Sequence, residues 1–315
     1  MRFLYVMDPL DHINRFKDTT FAFLRATQAL GHESFVCHPR DLFVDRGQCF
    51  ARVQACEVFD ADAHFRLGPA HDTALSETHA VFMRKDPPFD GAYLHASQML
   101  ERARGETLLV NDPRGLRDAN EKLYALHFAQ FTPRTLVTSR PDRIHDFVKE
   151  VGGEAVIKPL DGAGGSGVLK LATADKNARS IVDMLTQEGS RLAMVQEYLP
   201  RVVEGDKRVL LIEGKLLGAI NRIPRGDDLR SNIHVGGRVE PCTLTDSERE
   251  IVHAIAPRLV ADGLFFVGLD LVGEKLTEVN VTSPTGIQEL SAHLGRDVAQ
   301  EVIQWAVDRV HAKRF

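Results

Sequence analysis

Asp270, Glu278 and Asn280 carry side-chain oxygens on two apolar runs, Phe265–Leu271 and Leu276–Asn280, which a turn at Gly273 separates. An ionised carboxylate in so apolar a run as that of Asp270 is costly unless a cation compensates it. Glu278 and Asn280, two residues apart, project from one face of an extended strand. Three oxygen donors converging on one spot suit a hard divalent cation such as Mg²⁺. Taken alone, the stretch reads equally well as a β-hairpin with an ordinary polar edge. Register separates the two readings. In a plain two-residue hairpin at Gly273-Glu274, Asp270 pairs with Thr277 and faces away from Glu278. A shared cation site therefore needs an odd loop, such as Gly273-Glu274-Lys275, or a bulge.

Upstream lie residues suited to polyphosphate. Asp161–Gly167 is glycine-rich but is not a P-loop, since it lacks the Gly-Lys-Ser/Thr ending and leads into a strand. Its backbone N–H groups can still lie over phosphate oxygens, although glycine content alone also describes a flexible turn. Lys158 closes the apolar strand Ala155–Ile157 three residues earlier, where its ammonium reaches the same phosphates. Lys122, beside Glu121 at an expected helix start, is a second candidate. Gln196–Leu199 combines apolar contacts with backbone donors suited to an adenine ring. Arg208 and Arg222 stand on consecutive strands, where a bidentate fork meets a phosphate or carboxylate, or forms a surface ion pair. Arg84 ends an expected parallel strand ahead of Pro87-Pro88, the place where sheet ligands bind. The polar segment 223–238, with Gly226, Gly236 and Gly237, has the length of a lid or an idle loop.

Positioning these groups takes three kinds of structure. Strands at Phe3–Met7, Ser34–Cys37, Ala80–Arg84 and Thr107–Asn111 alternate with helices around Phe21–Leu30 (capped at Asp18/Thr19) and Tyr93–Arg104, which predicts an open α/β sheet with parallel strands. The middle section predicts an α+β unit: strands Glu154–Lys158, Val168–Leu171 and Ala193–Glu197, and a helix at Asn177–Glu188. Hairpin strands Arg208–Glu213 and Lys215–Asn221 follow, then a helix at Asp246–Asp262, the hairpin described first, and a helix at Val298–His311. Boundaries are expected near residues 118 and 200, giving units 1–118, 119–200 and 201–315.

Composition narrows the class. With 315 residues, 43% hydrophobic and 26% charged, the chain is an ordinary globular mix able to bury substantial cores. A formal net charge of -5 without a basic block gives no reason to expect nucleic acid or membrane as a partner. The apolar runs are strand-sized, and Met1-Arg2-Phe3 leads directly into one of them, so neither a membrane span nor a cleavable signal is expected. Cys37, Cys49, Cys56 and Cys242 have no CxxC or metal-finger spacing, which predicts reduced thiols in a cytoplasmic protein.

The order of these features resembles the ATP-grasp superfamily and, within it, the bacterial glutathione synthetase family. The resemblance spans nearly the whole chain. It is carried by Met7-Asp8-Pro9, Lys17-Asp18, Met83–Asp90, Asn120–Leu123, Lys158–Gly162, Gly205–Leu210, Arg222-Ile223-Pro224, Phe266–Asp270 and Leu276–Thr285. It implies ligation of γ-glutamylcysteine to glycine, with ATP going to ADP and phosphate through an acylphosphate and without an enzyme nucleophile. It implies an ATP-grasp fold with an N-terminal parallel-sheet domain, a central lid subdomain and a C-terminal antiparallel-sheet subdomain.

Residue roles follow from the same resemblance. Lys122 and Lys158 would contact the ATP phosphates, with Asp161, Gly164, Gly165 and Ser166 over them. Gln196, Glu197, Tyr198 and Leu199 would hold adenine, and Asp206 would lie near ribose. Arg208 and Arg222 would neutralise the transferring phosphoryl group or a substrate carboxylate, and Asp270, Glu278 and Asn280 would hold Mg²⁺, or Mn²⁺ in its place. Asp18, Thr19, Thr20, Arg84, Ser283 and Thr285, with Arg230, Asn232, Gly236 and Gly237 of the lid, would serve the substrates. A homo-oligomer, dimer or tetramer, is also implied. Ser231, His234 and Val235 depart from the family's glycine and alanines, which leaves room for another acceptor. Two alternatives remain at this point: a different ATP-grasp carboxylate–amine ligase, and a nucleotide-binding regulator without turnover.

Overall fold

The computed structural model of the chain describes residues 1–61, 63–162, 164–224 and 238–313. The first sheet contains β1 (Arg2–Val6), β2 (Glu33–Cys37), β3 (Leu42–Asp45), β4 (Gln48–Val58), β5 (Phe65–Leu67), β6 (His71–Ala74), β7 (Ala80–Met83) and β8 (Leu108–Val110). Its order is β3-β4-β2-β1-β7-β8, with β5 and β6 paired to β4. The pairs β1–β2, β1–β7 and β7–β8 are parallel, as expected. β1 is buried on both sides: Leu4 and Val6 join one core, and Phe3 and Tyr5 the other. Helices α1 (Thr19–Ala29), α2 (Gly91–Leu100) and α3 (Pro113–Asp118) accompany this sheet.

The antiparallel part, β3 to β6, has no counterpart in the sequence reading. β3, β5 and β6 are short and largely exposed, which dilutes their apolar pattern, whereas β4 buries alternate residues along most of its length. The turn that organises it is the pair Arg46 and Gly47, with φ of 48° and 83°. Both angles are positive, which is the primed geometry that a two-residue hairpin needs.

Four antiparallel strands form the second sheet: β9 (Thr135–Thr138), β10 (Glu154–Pro159), β11 (Leu169–Ala172) and β12 (Ala193–Glu197), in the order β11-β10-β12-β9. Helices α4 (Pro141–Glu150) and α5 (Ala178–Thr186) cover it through Ile144, Phe147 and Val182. Neither β9 nor α4 was expected. β9 is half-buried throughout, whereas α4 carries Ile144, Phe147 and Val148 at helical spacing after Pro141, a readable signal.

The third sheet is also antiparallel, with β13 (Asp206–Ile212), β14 (Lys215–Ile223), β15 (Arg238–Pro241), β16 (Phe266–Val272) and β17 (Lys275–Asn280) in the order β15-β14-β13-β16-β17. On one side lies α6 (Asp246–Ala261), started by a capping box of Thr245 and Glu248. On the other lie α7 (Ile287–Leu294) and α8 (Val298–His311), with α8 packed on α1. The Asn111 side chain ties the first sheet to the third, accepting from Phe266 N at 2.7 Å and donating to the Phe266 and Val281 carbonyls at 2.9 and 2.8 Å. Lys122 does not begin a helix. It lies in a turn in which the Asn120 side chain accepts from the N–H groups of Lys122 and Leu123.

Candidate functional site

The site grows from two hairpins of the third sheet, each with one extra residue. In β16–β17 the turn has two residues, since Val272 pairs with Lys275 and Leu271 with Leu276. The register then slips, and Asp270 pairs with Glu278 and Gly268 with Asn280. Thr277 is the bulged residue, and its hydroxyl donates to the Asp270 carbonyl at 3.1 Å. That slip puts Asp270, Glu278 and Asn280 on one face, which the plain hairpin would not do. The β13–β14 hairpin repeats the device: Leu211 pairs with Leu216, but Leu210 pairs with Gly218, so Leu217 is extra and Arg222 comes opposite Asp206.

Charges from the two hairpins meet. Arg208 grips Asp270 through Nε and Nη2 at 2.6 and 3.1 Å, while Arg222 Nη2 lies 3.0 Å from Asp270 Oδ1 and also pairs with Asp206. Burial works to raise the Asp270 pKa, but Arg208 and then Arg222 outweigh it and hold the carboxyl well below the usual range. These arginines are the cations that so apolar a strand requires. Gly268 makes the grip possible, because a Cβ there would stand 3.1 Å from Arg208 Cδ and 3.0 Å from Pro284 Cβ.

Two lysines face the carboxylates from the other side. Lys122 Nζ is 3.1 Å from Glu278 Oε1 and donates to the Gly162 carbonyl at the root of the glycine-rich loop. Lys158 Nζ donates to the carbonyl of the bulged Thr277 at 3.3 Å. Burial depresses the Lys158 pKa, against the opposing pull of Glu278. Such an ammonium gains from an arriving anion, whose charge offsets its desolvation.

Over this face opens a cleft. Of the expected nucleotide residues, Lys122, Lys158, Gly164, Gly165, Ser166, Gln196, Glu197, Tyr198, Leu199 and Asp206 line it, together with Asp270 and Glu278. Its apolar walls, Val156, Val168, Val202 and Val272, were not anticipated. Each is one valine in an ordinary strand or turn, and only folding reveals the common wall. Asp161 lies elsewhere. It pairs with Arg191, which holds its carboxyl below the ordinary pKa, and it borders a separate cavity of about 540 Å³.

The oxygen donors fit a hard cation. Arg208 and Arg222 occupy three of the roughly four acceptor positions of the Asp270 carboxylate, and Oδ2 receives a single bond. Asn280 donates its amide N–H to the Gly268 carbonyl at 3.2 Å, which leaves the amide oxygen for a cation. Among the described residues no three His, Cys, Asp or Glu side chains gather as a metal cage. Two carboxylates and an amide, to be completed by phosphate oxygens and water, are the donor set that Mg²⁺ takes in nucleotide sites.

At the carboxyl ends of β1 and β7 the structure revises the expected substrate contacts. Arg84 is buried: Nε donates to Thr20 Oγ1 at 3.1 Å and Nη2 to the Pro284 carbonyl at 3.1 Å. Its guanidinium lies 5.5 Å from the ring centres of Phe23 and Phe266. Asp18 caps α1 by accepting from Phe21 N at 2.6 Å, so that N–H is already engaged, and Thr19 and Thr20 are buried. The adjoining cavity is lined by Lys17 and Lys85 and by the carboxylates Asp8, Asp18 and Asp86, with Thr285, and Lys85 Nζ pairs with Asp8 at 3.1 Å. Lys85 sits one residue beyond the arginine that the sequence singled out, and Lys17 one before the cap. Ser283 Oγ contacts the Arg84 carbonyl at 3.5 Å. Arg230, Asn232, Gly236 and Gly237 lie outside the described residues.

With this geometry in place, comparison with known proteins is decisive. Residues 1–117 match the N-terminal domain of prokaryotic glutathione synthetase, and residues 121–295 match its ATP-grasp domain. The chain belongs to the prokaryotic glutathione synthetase family. Within that family, the glutathione synthetase of Synechocystis sp. is 45% identical over 97% of this chain and 98% of its own length. That of Salmonella typhimurium is 43% identical over 91% and 92%. Among solved structures, D-cycloserine synthetase DcsG (TM-score 0.67, 18% identity, 98% of this chain and 100% of that one) shares the fold. So does the ATP-grasp ligase PsnB complexed with minimal precursor, Mg and ADP (TM-score 0.64, 20% identity, 98% and 97%).

Proposed function

We propose that this protein is an ATP-dependent carboxylate–amine ligase that joins γ-glutamylcysteine to glycine, yielding glutathione, ADP and phosphate. Membership of the family supports the reaction. The observation that carries it in this chain is the meeting of Arg208, Arg222, Lys122 and Lys158 with Asp270 and Glu278 at one cleft with apolar walls.

The residues divide the work by charge. Lys122 and Lys158 hold the ATP phosphates, and the backbone of Gly164, Gly165 and Ser166 covers them. Gln196 to Leu199 and the valine walls take the adenine, with Asp206 near the ribose. Asp270, Glu278 and Asn280 hold the divalent metal, Mg²⁺ by preference, which supplies charge neutralisation on the phosphates when bound. The cysteinyl carboxylate attacks the γ-phosphorus, ADP leaves, and the glycine amine attacks the acylphosphate carbonyl. Collapse of the tetrahedral adduct expels phosphate. Arg208 and Arg222 face this centre as fixed positive charge, so positioning and electrostatics carry the rate. Lys17, on the adjoining cavity, is suited to a carboxylate of the dipeptide, while Lys85, paired there with Asp8, and Arg84 brace that wall.

Division of the chain near residues 118 and 200 into substrate, lid and catalytic units follows the same reading. So do a cytoplasmic setting, to which four free thiols are suited, and assembly as a homo-oligomer. The test is glutathione formation and phosphate release by purified protein with γ-glutamylcysteine, glycine and Mg-ATP. Faster release with another amine would assign a different acceptor, a departure that Ser231, His234 and Val235 make worth testing. ATP binding without release under every acceptor would overturn catalysis.

A further inference from the structure

Glu121 stands beside Lys122, which holds the ATP phosphates, yet the reaction as described makes no use of it. Its carboxylate is turned away from the nucleotide cleft toward the outer edge of β17. A single oxygen, Oε1, accepts from Val281 N at 3.0 Å, Thr282 N at 3.1 Å and Thr282 Oγ1 at 2.8 Å. The Glu121 backbone carbonyl accepts from Val279 N at 2.9 Å. β17 is an end strand of its sheet, so these N–H groups would otherwise have no ladder partner. Main chain and side chain of one residue thus satisfy the N–H groups of residues 279, 281 and 282, which bracket Asn280 and continue directly from Glu278.

The neighbours of Glu121 reach the other parts of the site. Asn120 Nδ2 donates to the Leu160 carbonyl at 3.2 Å, and Lys122 Nζ contacts both the Gly162 carbonyl and Glu278. Three consecutive side chains therefore tie the root of the glycine-rich loop to the strand that carries Glu278 and Asn280. Beyond Thr282 the chain runs to Pro284, whose carbonyl holds Arg84, and to Thr285, whose carbonyl accepts from Arg208 at 3.2 Å. A shift of residues 281 and 282 would move cation ligands on one side and arginine supports on the other.

We infer that Glu121 is a positioning residue: through hydrogen bonds to the backbone of Val281 and Thr282 it fixes the 278–285 segment, and so the metal-binding oxygens, relative to the phosphate lysines. The inference rests on the proposed reading of the cleft as an ATP–metal site, but not on which amine is the acceptor. It distinguishes Glu121 from a group that merely stabilises the fold, because its effect must appear in metal dependence rather than in nucleotide affinity as such.

The test compares Glu121→Ala and Glu121→Gln with the parent protein, measuring ADP binding without metal, Mn²⁺ binding in the presence of ADP, and turnover. Gln keeps an oxygen for the three donors, so that variant is expected within about threefold of the parent in all three. Ala is expected to weaken Mn²⁺ binding and lower kcat by about 10- to 100-fold, the usual cost of losing a group that orients ligands, with metal-free ADP affinity unchanged. Equal loss of metal-free ADP affinity, or unchanged Mn²⁺ binding in the Ala variant, would overturn the inference, as would a Gln variant as impaired as Ala. If Glu121→Ala does not fold, Thr282→Val removes one of the three donors. It is then expected to weaken Mn²⁺ binding severalfold, and an unchanged value would overturn the inference. A parent protein that binds Mn-ADP but forms no glutathione would remove the proposed acceptor chemistry and leave this comparison intact.

Discussion

Two hairpins of the third sheet solve one geometric problem with the same device and opposite chemistry. Both turn in two residues with positive φ, Glu213-Gly214 at 49° and 72° and Gly273-Glu274 at 55° and 65°. Both then admit one extra residue on the returning strand, Leu217 in one and Thr277 in the other. In each case the extra residue reverses the facing of everything beyond it. The first hairpin thereby delivers Arg222 to the face that carries Arg208. The second delivers Glu278 and Asn280 to the face that carries Asp270. Even the bulged carbonyls are used alike, since Leu217 O accepts from Arg296 at 2.7 Å and Thr277 O from Lys158 at 3.3 Å. What differs is the extra side chain. Leu217 is buried in the core with α7 and α8, whereas Thr277 lines the cleft. The cationic hairpin is anchored by its bulge, and the anionic one presents its bulge to the ligand.

Glu278→Ala is the strongest way to break the parallel. It removes the carboxylate that the Thr277 bulge brings opposite Asp270, and Lys122 loses its ion-pair partner. Turnover is expected to fall on the order of 10³-fold, with Mn²⁺ binding lost, while Thr277→Ala keeps both the bulge and the carboxylate and stays within about tenfold of the parent. Phosphate release and Mn²⁺ titration read both. A Glu278→Ala variant that still binds Mn²⁺ would dissociate the bulge from the metal site.

Next in size is Asp270→Asn, which leaves Arg208 and Arg222 buried with less compensation. A loss of about 3 kcal/mol in stability is expected from breaking a buried pair, with kcat down by at least about 10²-fold. The sign of the pH effect follows from the direction of the shift. The Asp270 pKa is lower in the folded than in the unfolded chain, so its stabilisation is present above about pH 4 and is lost as the pH falls further. Urea unfolding from pH 7 to 3 should therefore show a shallower acid decline for the variant. Parallel declines would mean that the carboxylate is not held in this way.

Much of this was legible before folding, for identifiable reasons. β12 at Ala193–Glu197 and α8 at Val298–His311 fall on the expected residues, because apolar periodicity and caps are local signals. The need for a bulge or odd loop near Gly273 followed from counting residues between Asp270 and Glu278. Which residue would bulge did not, because Thr277 is unremarkable until Lys158 and Asp270 approach it from elsewhere. Arg84 shows the opposite case. Its place at a strand end was right, but whether a guanidinium faces solvent or the rings of Phe23 and Phe266 depends on α1 and on the 284 segment. Asp161 likewise belongs to the loop in sequence and to Arg191 in space. β9 and the strands β3, β5 and β6 were missed because half-buried or exposed short elements dilute the pattern that periodicity needs, whereas α4 and β4 carry apolar residues at regular spacing that could have been read.

A smaller effect is expected where the hairpins touch. Gly268 lies beneath the Arg208 side chain, and Gly268→Ala would force Arg208 Cδ or Pro284 to give by a few tenths of an ångström. We expect kcat to fall by roughly tenfold with a stability change of about 1 kcal/mol. The loss should be larger in kcat than in metal-free ADP affinity, because Arg208 meets Asp270 and not the adenine pocket. Equal losses in both would show that the methyl group disturbs the cleft as a whole.

The least effect on turnover should come from the other bulge. Leu217→Ala keeps the register of β13–β14, and so the placing of Arg222, but empties part of the core that α7 and α8 share with Leu210 and Ile220. Stability is expected to drop by about 3 kcal/mol while kcat at a temperature well below the melting point stays within about twofold. Measured beside Thr277→Ala, this gives the comparison its sharpest form. The core-facing bulge should cost stability with little change in rate, and the cleft-facing bulge the reverse. If both variants lost rate and stability in the same proportion, the two extra residues would have one role, the setting of register. The difference between a buried leucine and a cleft-lining threonine would then carry no functional meaning.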